Sequence, residues 1–174
     1  VRAHWIRGIW NRACGTSDWS YRSRAQGVAL RSTFSFGFDV LGATRYSIHL
    51  DGIGVADGTF ASWLGQLQWV GRLPERFRST GMLFRADLQL ARDPLLPLEQ
   101  FAVGGSRTVR GYRQNQLLRD NGFATSIELG IPLLRGQLGR DLLQLAPFAD
   151  LGGGWNEAKT GGPKTLASVG LGLR

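Results

Sequence analysis

Five stretches of this sequence alternate apolar and polar residues with a period of two, the rhythm of a half-buried β-strand rather than a helix. In 28–40, Leu30, Phe34, Phe36, Phe38 and Val40 share one parity, and Arg31, Thr33, Ser35, Gly37 and Asp39 hold the other. In 82–91, Met82, Phe84, Ala86, Leu88 and Leu90 oppose Arg85, Asp87 and Gln89. In 123–133, Phe123, Ile127, Leu129, Ile131 and Leu133 oppose Ala124, Ser126, Glu128 and Gly130. Leu143, Leu145, Pro147, Ala149 and Leu151 set the same rhythm in 142–151, as do Ala167, Val169, Leu171 and Leu173 in 165–174. A looser stretch, 60–70, adds Trp63, Leu67 and Trp69, making six strands. Residues 1–26 show no clean face and stay unassigned, with room for a degenerate strand and a loop.

Alternation suits both a soluble sandwich and a membrane barrel, so strand length and polar-face chemistry decide. The strands run about ten residues, the length a tilted membrane strand needs, against a mode of five to six in globular sheets. The polar parity holds Gly, Ser, Ala and Gln with scattered charges and almost no Lys, whereas the apolar parity of the clean strands carries no charge. Lipid demands that second property, because an Arg at mid-depth costs about 2–4 kcal/mol. Trp63 and Trp69 suit interfacial belt positions. Short connections (71–80, 134–141) and long ones (41–59, 92–121, 152–164) take turns, as on the two rims of an up-and-down barrel. The fold class expected is therefore all-β: a partial antiparallel up-and-down transmembrane β-barrel over 27–174. Six strands cannot close a barrel, the smallest single-chain ones having eight, so the 174 residues are expected to be a piece of a longer chain.

Other classes find little support. The net charge of +8 would suit a polyanion, but neither a basic helix nor an aromatic nucleic-acid signature accompanies it, so no nucleic-acid partner is expected. Cys14 is the lone cysteine, which leaves no internal disulfide and no cysteine-based metal spacing. His4 and His49 are the only histidines; Asp51 is near His49, but no serine sits in a nucleophile elbow. Neither an enzyme, a cofactor, a metal nor a small-molecule substrate is expected.

The longest connection, about 92–121, is too apolar for a solvated tail, and the surface available to it is the barrel interior. It contains Gly104-Gly105, then Val109-Arg110-Gly111-Tyr112, then Asp120-Asn121-Gly122; Phe148-Ala149-Asp150 follows on a later strand. With these spaced motifs, residues 28–174 resemble the two-partner secretion transporters, the haemolysin secretion/activation proteins. The resemblance implies a larger barrel, about sixteen-stranded, in the bacterial outer membrane. It also implies an unfolded secreted partner protein, with the lipid bilayer as the other partner. Soluble domains that precede the barrel in that family have no counterpart in the sequence.

The resemblance further implies that the loop folds into the barrel and that Arg110 meets Asp150, with Phe148 beside it on the inner wall. The residues themselves agree in one respect: Asp150 falls on the polar parity, where a carboxylate in a narrow lumen calls for a partner, and a guanidinium offers two parallel hydrogen bonds. Gly104, Gly105 and Gly111 would let the loop turn sharply, and Tyr112 would pack its ring and bond its hydroxyl. Glu128, Arg85 and Asp87 share the lumen parity, where a solvated or locally paired role stands beside a pore function. The expected function is a protein-secretion pore; the alternative is an assembly or insertion factor of the same superfamily. A soluble β-sandwich binding module is the reading furthest from these features.

Overall fold

The computed structural model describes residues 2–3, 11–38, 59–73, 80–136, 141–157 and 164–174. Val40, His49, Asp51 and the turn residues 51–58 lie outside the described residues. So do His4, Trp5 and Trp10. Ten strands follow in order: β1 (Arg2–Ala3), β2 (Asn11–Arg22), β3 (Gln26–Phe38), β4 (Phe60–Arg72), β5 (Gly81–Ala91), β6 (Phe101–Val103), β7 (Leu117–Arg119), β8 (Asn121–Arg135), β9 (Asp141–Trp155) and β10 (Lys164–Leu173). Eight of them form one sheet in the order β1-β2-β3-β4-β5-β8-β9-β10, every neighbouring pair antiparallel. β6 and β7 pair separately as a small hairpin inside the long loop.

The six expected strands are all present, and the sheet is wider than they are. Residues 1–26, left unassigned by periodicity, contain the twelve-residue β2. Its first half is small on both parities (outward Ala13, Gly15 and Ser17, inward Cys14 and Thr16), so contrast between faces is confined to Trp19 and Tyr21 against Asp18 and Ser20; full-length pairing with β3 defines the strand. β9 also runs on to Trp155, so Gly152, Gly153 and Gly154 lie in strand rather than in the turn that the glycine run suggested. β8 carries a register irregularity near Pro132, where a residue without an N–H is tolerated.

Register makes the parities coherent across the sheet, because a one-residue slip would turn every side chain over. Phe34 pairs with Trp63, Leu67 with Ala86, Phe84 with Ile127, Ile127 with Ala149 and Ala149 with Val169. These side chains are not buried under a second layer: Leu88 is 36% exposed, Ile127 38% and Val169 83%. The opposite face carries Asp87, Ser126, Glu128 and Asp150, and there Glu128 and Asp150 are buried. The sheet is thus apolar where it is open and polar where it is covered, the inverse of a soluble sandwich. Among the described residues the sheet is not closed.

The polar face is covered by the loop between β5 and β8. Phe101, Val103, Val109 and Leu117 from the loop pack with Ala124 of β8 into a small core. Burying each of the two valines, both fully inaccessible, contributes about 1.5–3 kcal/mol. The loop is therefore a folded object seated on the inner wall.

Candidate functional site

The site is built where the loop tip meets β8 and β9. Three glycines shape the approach, each with positive φ: Gly104 (109°), Gly105 (101°) and Gly111 (87°). A Cβ on Gly104 would lie 2.6 Å from the Arg113 carbonyl oxygen, so this turn admits no side chain. Gly104 N–H donates to Thr108 Oγ1 at 2.8 Å, closing the turn that precedes Val109 and Arg110.

From this turn Arg110 reaches the wall. Its Nε donates to Asp150 Oδ2 at 2.8 Å and its Nη2 to Asp150 Oδ1 at 2.7 Å, a two-pronged pair. Its backbone N–H adds a third bond to the same carboxylate at 3.0 Å. Nη1 donates to Glu128 Oε2 at 2.7 Å, and Nη2 also to Ser126 Oγ at 3.0 Å. The Phe148 ring lies under the guanidinium, its centroid 3.5 Å from Cζ. Ser126 Oγ donates to Asp150 Oδ1 at 2.7 Å. The hydrogen bond with Asp150 raises the Arg110 pKa further above its already high ordinary value, so the loop side of the site is always cationic.

Burial gives the arrangement its force. The Asp150 side chain is 0% exposed and that of Glu128 9%, so both carboxylates depend on protein donors. Glu128 has a second cation, Arg174, whose Nη2 lies 2.6 Å from Oε1. Two charged arms thus hold one guanidinium, where the sequence reading paired Arg110 with Asp150 alone. Tyr112 donates its hydroxyl proton to the Ala167 carbonyl of β10 at 3.1 Å.

Arg85 and Asp87, by contrast, are not brought into this cluster. Asp87 accepts from Gln66 Nε2 at 3.1 Å, and Arg85 is an exposed residue of the inner face. Both line a cavity of about 880 Å³ between the loop residues Arg107, Gln114 and Asn115 and the wall of β2 to β5.

Sequence reasoning missed Ser126, Arg174 and above all Gly152. A Cβ on Gly152 would lie 2.7 Å from Val103 Cγ1 and 2.9 Å from Val109 Cγ2. The signal was there in the glycines at 152 and 154, on the same parity as Asp150. Replacing Gly152 by valine is expected to lift the loop core, destabilising the seated loop by about 1–3 kcal/mol through overpacking. Faster proteolysis within 101–119, with the barrel still folded, is the readout; an unchanged cleavage rate would show that the close fit is dispensable.

An open up-and-down sheet, apolar outside, with a folded loop ion-paired to its polar inside, defines part of the wall of a transmembrane β-barrel with an inward loop. The haemolysin secretion/activation protein family, ShlB/FhaC/HecB, matches over residues 13–174, and the chain belongs to that family. The family's members are outer-membrane transporters of Gram-negative bacteria, which places this sheet in the outer membrane. Among solved structures, CdiB from Escherichia coli is similar with a TM-score of 0.69 at 21% identity, a likeness of fold. The match covers 94% of this chain and 30% of the CdiB chain. A search of the curated proteins finds no match.

Proposed function

We infer that this chain supplies part of the wall and the internal gate of a pore that secretes a large partner protein across the outer membrane in unfolded form. One observation carries the reading: a folded loop occupies the inner face and is fastened there by Arg110 to the carboxylates of Asp150 and Glu128. A pore that passes protein has to remain sealed at rest, and a loop held by directional ion pairs seals without a permanent bond. Val109, Gly104, Gly105 and Gly111 shape the tip, Phe148 and Tyr112 dock it, and Arg85 and Asp87 line the water-accessible gap beside it. Nothing in this reading makes or breaks a covalent bond, so the protein acts as a conduit and not as an enzyme.

The test is a reversible lock. In a Cys14→Ser background of the full chain, Val109→Cys and Ala124→Cys together place two thiols in the small core where the loop touches the wall. Oxidation is expected to stop export of the partner, and a reductant to restore it. Export that continues with the disulfide formed would rule the loop out as a moving gate.

A further inference from the structure

A second cluster of polar side chains lies away from Arg110, at the base of the same loop. Asp120 is 3% exposed and Asn121 2%. Asp120 Oδ1 accepts from the Leu95 backbone N–H at 2.9 Å and from Gln100 Nε2 at 3.0 Å, and both donors belong to the outgoing limb of the loop. Its Oδ2 accepts the Glu157 backbone N–H at 3.1 Å, on the connection between β9 and β10. Asn121 Oδ1 accepts the Ala91 N–H at 2.7 Å, just beyond Gln89↔Gly122, where the β5–β8 ladder ends, and its Nδ2 donates to Glu157 Oε1 at 2.6 Å. Gln89 Nε2 reaches the carbonyls of Glu99 (2.9 Å) and Asp120 (3.1 Å).

Gly122 completes the run. A Cβ there would collide with the Phe101 ring, which lies on the strand at the root of the hairpin. Three consecutive residues therefore do three jobs at one place. Asp120 gathers the outgoing limb, Asn121 extends the ladder by a side chain, and Gly122 makes room for the hairpin. None of these bonds involves Arg110, Asp150 or Glu128, so the loop has two fastenings that share no hydrogen-bonding group.

We propose that Asp120 and Asn121 form a separate stem clamp, positioning residues that hold the base of the loop and tie it to the β9–β10 connection through Glu157. Release of Arg110 then frees the tip alone, which pivots about the left-handed glycines at 104 and 105 while the stem stays in place. The clamp also gives a route by which an event at the β9–β10 connection reaches the loop without touching the Arg110 seat. This inference concerns the mechanics of the loop and stands apart from what passes through the pore.

Thiol labelling of the full chain in isolated outer membranes tests it, in a Cys14→Ser background, with an impermeant maleimide. Leu95→Cys reports on the buried stem and Val109→Cys on the buried tip. With Arg110→Ala, labelling of the tip reporter is expected to rise about tenfold or more while the stem reporter stays protected. With Asp120→Ala, the stem reporter is expected to rise by a similar factor. Asp120→Asn keeps an acceptor for Leu95 and Gln100 and is expected to restore most of the stem protection, whereas Asp120→Leu fills the space without an acceptor and is expected to leave the stem exposed. Protection by both would mark a general packing role and overturn the clamp. Should Asp120→Ala fail to assemble, Asn121→Ala loses the Ala91 and Glu157 links and must expose the stem reporter in its place. Equal exposure of both reporters by Arg110→Ala, or a stem that stays protected when Asp120 or Asn121 is truncated, would overturn the proposal.

Discussion

Replacing Arg110 by alanine in the full chain is expected to reduce export of the partner protein to a tenth or less. The change strips two buried carboxylates of their shared cation, and losing one member of a buried pair costs about 3–5 kcal/mol. Because the Arg110 side chain is itself 26% exposed, the lower end of that range applies. About 3 kcal/mol still moves the ratio of seated to released loop by a factor on the order of a hundred. Lysine is not expected to rescue: one ammonium cannot span Asp150 and Glu128 at once, nor stack flat on Phe148. Partner in the medium, measured against barrel level in the membrane, is the readout. Export within twofold of normal in Arg110→Ala would show that the seat serves stability alone. Together with the disulfide lock, the pair of experiments asks separately whether the loop must sit and whether it must move.

The second large effect belongs to the outer face. Ile127→Arg puts a guanidinium among acyl chains on β8, flanked by β5 and β9, and is expected to cost about 2–4 kcal/mol at mid-depth. Most of the protein should then fail to reach the folded, membrane-inserted form. Gln68→Arg, on the inner face and exposed there, serves as the control and is expected to leave the folded amount near normal. Counting folded barrel by its heat-dependent gel mobility compares the two. If both variants assemble equally well, the assignment of faces is wrong and the sheet does not meet lipid through Ile127.

The contrast between these two predictions marks how far the residues alone could be read. Which parity looks outward was legible because each strand states it locally, five or six times over, in side chains that alternate regardless of what lies beside them. Strand β2 was not legible as a whole, since its contrast is confined to Trp19 and Tyr21 while Gly15, Ser17, Cys14 and Thr16 offer little, and only pairing with β3 defines its length. The junction of Arg110 with Asp150, forty positions apart, came from resemblance to a family and not from any local pattern. Glu128 as the second arm, Ser126 between the two and Arg174 behind Glu128 came from neither.

By itself the sequence determined an all-β chain of long antiparallel strands with one face fit for lipid and a loop too apolar to be left in water. Only the tertiary structure decided where that loop lands. Its Val109 meets Gly152, its Arg110 meets two carboxylates, and its base is gathered by Asp120. The physical reason is the range of the interactions: alternation is written residue by residue along a strand. A hydrogen bond between a loop and a wall depends instead on the register of every strand that separates them.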